Sequence, residues 1–159
     1  LALARSAPTV SSLAGMTCVG LYSGIMAFER EATGLGGCIR AVGEWSAASR
    51  AVARLDLGEV EFFEDVLSDD HLRVDPDGVE VALITASCVD YSSAGGQAGL
   101  KGTRGWQVVD SPRMLLHFRD LLVTIVENVW GWIELNEGSS FAIFCTAMRR
   151  LKHTVHHST

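Results

Sequence analysis

No Cys-x-x-Cys spacing occurs in the 159 residues, and the four cysteines, Cys18, Cys38, Cys88 and Cys145, lie far apart. That spacing argues against a zinc site or a dense disulfide framework, and it points to a reducing intracellular compartment. No apolar run is long enough to span a bilayer, so no transmembrane helix and no membrane partner are expected. Phosphate-cradling motifs are missing too: no Gly-x-Gly-x-x-Gly follows the first strand, and there is no Walker sequence. Positive charge is scarce, with 13 Lys and Arg against 19 Asp and Glu and a net charge of −6. Bulk electrostatics therefore disfavour nucleic acid, whose phosphates need clustered Lys and Arg held locally or on a further part of the protein. The terminal His153, His156 and His157 have no carboxylate partner, and no metal is expected there.

Repeats and low-complexity tracts are also lacking. What remains is an ordinary globular composition, 48% hydrophobic and 20% charged, in a chain long enough for one domain with a sizeable core. The opening Leu-Ala-Leu-Ala-Arg has neither an initiator methionine nor a signal-type apolar core. Residues 1–16 are expected to be a flexible leader, 17–155 a domain cut from something longer, and 156–159 a tail.

Strand and helix patterns alternate, the mark of an α/β fold with a doubly wound, mostly parallel sheet. Strands are expected at Thr17–Tyr22, Cys38–Glu44, Glu59–Phe63, Val81–Ala86 and Leu121–Val126. Helices are expected after Ser23-Gly24 through about Thr33, then at Ala47–Arg54, Asp110–Phe118 and Ser139–Leu151. Gly34-Leu35-Gly36-Gly37 fits a helix C-cap, Asp65–Val74 a loop with one helical turn, and Ser92–Gly105 a mobile glycine-rich loop.

Two apolar runs end on reactive groups. Val81–Ser87 delivers Cys88, and Leu121–Val126 delivers Glu127-Asn128. In open α/β sheets ligands bind at the carboxyl ends of the strands, so a thiol and a carboxylate there are expected to face one cleft. Cys88 could equally be a small buried hydrophobe, and Glu127 a cap or loop ion pair. A working thiolate also needs a positive neighbour, for which Arg104 is the candidate. An acyl-transfer enzyme pairing Cys88 with His71 or His117 is a competing reading, weakened because neither histidine ends a strand. Three further strand ends carry Ser23-Gly24, Glu44-Trp45 and Asp65. Each has a bland explanation, such as Glu44 capping a helix while Trp45 packs on the sheet. Together they outline a nucleoside pocket: a flexible turn, an acid for ribose hydroxyls, an indole for adenine and a carboxylate for its amino group. S-adenosylmethionine suits such a pocket because it has no phosphate.

These residues resemble the cytosine-5 DNA methyltransferase family. The resemblance rests on Val19-Gly20-Leu21-Tyr22-Ser23-Gly24-Ile25-Met26-Ala27-Phe28, Ala41-Val42-Gly43-Glu44-Trp45 and Glu64-Asp65-Val66. It continues through Ser87-Cys88-Val89-Asp90-Tyr91-Ser92, Gly102-Thr103-Arg104-Gly105 and Glu127-Asn128-Val129, in family order. The resemblance implies a Rossmann-like fold, S-adenosylmethionine as cofactor, Cys88 as nucleophile and Glu127 as acid. It assigns Tyr22, Ser23, Gly24, Glu44, Trp45, Asp65 and Val66 to the cofactor, and Ser92, Arg104 and Asn128 to the substrate. The implied partner is duplex DNA with a flipped cytosine, in the nucleus if the source is eukaryotic. RNA stays open, since a related branch of this fold modifies tRNA. Departures stand at Gly20, where the family usually has an acid, at Met26-Ala27, where it has two glycines, and at Ser87 and Val89, where it reads Pro-Cys-Gln. No Gln-x-Arg-x-Arg motif, target-recognition region or final strands follow. A partial, cofactor-binding half of the domain, inactive by itself, is expected. A degenerate module that binds cofactor or a partner without turnover is the alternative.

Overall fold

The computed structural model describes residues 11–64, 66 and 68–157. The described chain forms two compact units. Ser11–Ala86 with Arg113–Glu127 forms the sheet unit, and Ser87–Pro112 with the residues from Asn128 onward forms the other.

The sheet unit contains β1 (Thr17–Leu21), α1 (Ala27–Gly34), β2 (Cys38–Gly43), α2 (Ala47–Leu57), β3 (Glu61–Phe63), β4 (Val81–Ile84) and β5 (Val123–Val126). All pairings are parallel, in the order β3-β2-β1-β4-β5. Every residue of β4 is buried, and so are four of the five in β1, as expected of central strands covered on both faces. A core of Cys18, Met26, Ala32, Ile39, Val42, Ala53, Val81 and Leu83 joins α1 and α2 to the sheet. Leu13 belongs to the same core, and its N–H donates to the Leu35 carbonyl at 2.9 Å. Residues 11–16 of the expected leader are thus tied down; residues 1–10 lie outside the described residues.

Local chemistry explains the boundaries. Gly36 turns α1 off with φ +89°, while Gly37 N–H donates to Ala32 O and Gly36 N–H to Thr33 O, the crossed pair of a Schellman cap. Ser46 caps α2 by accepting from Ser49 N–H at 3.3 Å. The helical turn expected in the loop after β3 is a 3₁₀ turn, Asp69–Arg73, capped by Ser68. Sequence alone carried β1, β2 and β4 one to two residues too far. It started β3 and β5 two residues too early, while placing their ends at Phe63 and Val126 as observed. At the sheet's edge β5 is only partly covered, with Val123 exposed and Thr124–Val126 half-buried. No described helix is long and apolar enough to cross a membrane.

The second unit holds most of α3 (Gln107–Leu115), then α4 (Gly131–Glu134) and α5 (Ser139–Arg150). Trp132 of α4 meets Phe141 and Phe144 of α5 edge-on, at 5.1 and 5.2 Å between ring centres. Sequence reading missed α4, whose four residues are too few to show a period. It also set α3 at Asp110–Phe118; the helix starts three residues earlier, and its interior carries Pro112. A proline there removes the N–H that would serve the Val108 carbonyl four residues back. The buried Ser111 hydroxyl donates to that carbonyl instead, at 2.7 Å. Ser111→Ala is therefore expected to cost about 1–3 kcal/mol, the penalty for an unpaired buried acceptor. In a Pro112→Ala background, where the amide returns, the loss should shrink by half or more in urea unfolding. Equal losses in both backgrounds would rule out the substitution of hydroxyl for amide.

Candidate functional site

All five strand ends of the sheet unit finish in register. Leu21 pairs with both Gly43 and Ile84, Gly43 with Phe63, and Ile84 with Val126. The residues that follow therefore emerge along one carboxyl edge: Tyr22-Ser23-Gly24, Glu44-Trp45, Glu64, Thr85 and Glu127. The strand order reverses between β1 and β4, the place where such sheets open a crevice. Asp65, assigned to the cofactor by resemblance, lies outside the described residues, and its neighbour Val66 is buried.

The turn after β1 is strained and firmly held. Tyr22, Gly24 and Met26 all take positive φ, at 59°, 51° and 62°. Glycine tolerates that region, whereas tyrosine and methionine pay for it. Compensation is visible on both sides. Tyr22 N–H donates to Gly43 O at 2.8 Å, and Thr85 Oγ1 donates to Tyr22 O at 2.9 Å. Met26 is fully buried in the core, so the departure from glycine trades backbone ease for packed side-chain volume.

Glu44 joins this turn to the next. Its Oε2 accepts from Gly24 N–H and its Oε1 from Ser46 N–H, both at 2.7 Å, and the residue is 4% exposed. The carboxylate thus steadies the start of α2 and reaches across to the first turn; the two readings of Glu44 are not exclusive. Each oxygen keeps a second lone pair for a further donor. Trp45, next in the chain, is 67% exposed, so it does not pack on the sheet. Arg50 of α2 lies beneath this turn and donates to the carbonyls of Glu44 and Trp45 at 2.9 and 2.7 Å.

Glu29 is a residue that sequence reading passed over. It sits on α1 at 1% exposure, and its Oε1 lies 2.0 Å from where a Cβ on Gly20 would stand. Only a glycine on β1 leaves room for it. Burial pushes the Glu29 carboxyl pKa up; the Ser23 side chain and helix backbone draw it partway back, and the Glu44 charge pushes it up again. Ser23 is close enough to act on that carboxyl, yet neither Ser23 Oγ nor Glu29 Oε2 has a hydrogen bond of good geometry among the described residues. A helical glutamate ordinarily reads as solvent-facing. The one signal for it was the missing side chain at Gly20.

In the second unit Cys88 is exposed and free, and its carbonyl accepts from Tyr91 N–H at 2.9 Å and Ser92 N–H at 2.8 Å. The Ser92–Gly105 stretch, expected to be a mobile loop, is folded back on this turn. Buried Asp90 accepts from Arg104 N–H at 2.7 Å, Gly99 N–H donates to Asp90 O at 2.8 Å, and Tyr91 OH donates to Gly105 O. The glycines serve close approach: a Cβ on Gly102 would fall 2.0 Å from the Asp90 carboxyl carbon. Arg104 is held by its backbone while its side chain is exposed, and Ser92 Oγ accepts from Ala94 N–H. Half-buried Asn128 accepts from Val129 N–H through Oδ1. Glu127 belongs to the sheet unit, exposed, with its N–H on Ile84 O at 2.9 Å. His71 and His117 pack edge-on to each other at 5.7 Å within the sheet unit. Burial lowers the His71 pKa, and both rings bond to backbone carbonyls, of Ser68 and Val74.

No family model matches the chain, and no curated protein matches it in sequence. Solved structures do match in fold. The S. pombe Dnmt2 methyltransferase shares it at TM-score 0.58 and 16% identity, over 85% of this chain and 40% of that one. A mutant DNMT2 from Spodoptera frugiperda does so at TM-score 0.57 and 16% identity, over 85% and 41%. The chain shares the parallel, Rossmann-like fold of these structures and spans about two fifths of their length.

The Glu29 environment generates a pH prediction. A carboxyl whose folded pKa lies above its unfolded one favours folding fully below the unfolded value, and that contribution is lost as pH rises through the folded value. Glu29→Gln removes the titration while keeping the shape. Its melting temperature should gain on wild type as pH rises from the acid range to neutrality. A difference that stays constant with pH would mean that Glu29 titrates as it does in the unfolded chain.

Proposed function

We propose that the chain is the cofactor-binding part of an S-adenosylmethionine-dependent methyltransferase domain of the cytosine-5 type. One observation carries this reading: the Gly24 N–H at the first turn is taken by the Glu44 carboxylate. A phosphate needs such a turn's free amides and positive field, and an anion meets a carboxylate there instead. Hydroxyl donors, by contrast, find the remaining lone pairs of Glu44, and exposed Trp45 beside it offers a face for a base. A nucleoside without phosphate fits; a dinucleotide does not.

In this reading Tyr22, Ser23, Gly24 and Val66 form the floor of the cofactor site, Glu44 holds the ribose, and Trp45 and Asp65 attend the adenine. The cofactor supplies an electrophilic methyl group on a sulfonium. Carbon 5 of cytosine is too weak a nucleophile to take it directly. The Cys88 thiolate adds to carbon 6 while Glu127 hydrogen-bonds or protonates N3, which makes carbon 5 enamine-like. After methyl transfer, loss of the carbon 5 proton expels the thiolate. Ser92, Arg104 and Asn128 are proposed to contact the substrate strand, and the base must leave its stack to be reached. DNA is the proposed substrate. The second reading, a binding module without turnover, is favoured by Gly20, Ser87 and Val89, where the motifs depart from the family.

Two experiments test this. Calorimetry should show weak S-adenosylmethionine binding by the 159-residue chain, reduced by about 1–3 kcal/mol in Glu44→Ala through unpaired ribose hydroxyls. Unchanged binding returns Glu44 to a purely structural role. With net charge −6 and two fifths of the length of its structural matches, the chain alone should transfer no methyl group to duplex DNA. The full-length protein should form a covalent adduct with 5-fluorocytosine DNA, because fluorine blocks the last elimination, and Cys88→Ser should abolish it. An adduct with RNA alone would change the substrate, and no adduct with either would favour the binding module.

A further inference from the structure

We infer that Arg50 is a positioning residue that sets Glu44 to recognise a ribose, and so makes the pocket selective for ribonucleosides over 2′-deoxyribonucleosides. The inference rests on the nucleoside reading above. Arg50 stands in the first turn of α2, with its N–H on the Ser46 carbonyl at 3.0 Å. Only 8% of the residue is exposed. Its guanidinium folds back under the β2–α2 turn, where Nη1 donates to both Glu44 O and Trp45 O. Nη2 meets the exposed Glu64 carboxylate, just past β3, at 2.9 Å.

Residue 44 is thereby gripped at both ends, its backbone carbonyl by Arg50 and its carboxylate by the amides of Gly24 and Ser46. One fork also ties the end of β2 to the end of β3. Burying a guanidinium is costly unless its donors are well used. Water at a sheet edge could serve two turn carbonyls without that cost. A planar fork, unlike water or an ammonium, fixes the direction of what it binds. The cost is intelligible where the position of Glu44 matters beyond stability. Two adjacent hydroxyls on a ribose need two lone pairs at set angles, and a shifted carboxylate would satisfy one and lose the other.

The test compares S-adenosylhomocysteine with its 2′-deoxyadenosyl counterpart by calorimetry, on the whole 159-residue chain. Wild type should prefer the ribose ligand by about tenfold, the worth of one hydrogen bond. Arg50→Met keeps the apolar stem and removes the fork, and the preference should fall to about twofold or less. Arg50→Lys, which retains a cation and is the milder change if the first variant does not fold, should give an intermediate ratio. A role in folding alone would weaken both ligands alike and leave the ratio unchanged, which would overturn the inference while sparing the nucleoside pocket. No binding of either ligand by wild type would overturn the pocket itself. Equal binding of both by wild type would remove Glu44 from the ribose and Arg50 with it.

Discussion

The hydrogen bond from Gly24 N–H to the Glu44 carboxylate ties together the two turns on which the candidate pocket depends. It runs between the first and second βα junctions, so it couples the strained turn after β1 to the start of α2. It adds a third contact to the two, from Tyr22 N–H to Gly43 O and from Thr85 Oγ1 to Tyr22 O, that hold the turn with its positive φ values at Tyr22, Gly24 and Met26. With it, both turns present backbone and side chain from fixed positions, and the strain is distributed over partners at the ends of β2 and β4. In the proposed reading the same bond sets the chemistry of the pocket, because a carboxylate occupies the amide that would otherwise attract an anion.

Around that bond the sheet edge holds an unusual density of buried charge. Glu44, Glu29 and Arg50 are all nearly inaccessible to water, and each has a different way of tolerating it. Glu44 takes two amides, Arg50 takes two carbonyls and a carboxylate, and Glu29 fills the void over Gly20 with one oxygen unpaired. Buried polar groups of this kind are costly in a medium of low dielectric, and they are commonest where position matters more than stability. The other unit is organised by a different principle, close backbone approach. Glycines at positions 95, 102 and 105 let the chain fold tightly on Asp90 and Val89.

Much of the fold was legible because its signals are local and redundant. Buried parallel strands such as Val81–Ile84 are continuous apolar runs, and Gly36 and Ser46 mark helix ends by chemistry that operates within a few residues. The edge residues Glu44 and Trp45 were readable for the same reason, since a strand end followed by a helix start locates them. What escaped was non-local. Glu29 is buried only because residue 20 on a neighbouring strand has no side chain, and Arg50 turns inward only because two carbonyls await it. A one-dimensional pattern assigns both to solvent. The Ser92–Gly105 segment misled in the opposite sense: glycine richness suggests slackness, whereas here it permits tight packing.

Trp45 makes this edge optically conspicuous. Of the four tryptophans, Trp132 is buried, Trp106 half-buried, and Trp130 less exposed than Trp45. An indole standing in water emits at the red end of the tryptophan range, so the long-wavelength part of the intrinsic emission includes Trp45, the most exposed of the four, together with Trp130 at 46% exposure. Any planar molecule that covers the Trp45 indole, whether a nucleoside, a dye or another aromatic surface, would quench or blue-shift its share while leaving the buried indole's emission in place. The protein thus carries its own spectroscopic label at the position where a ligand is most informative, and unlabelled chain suffices for screening.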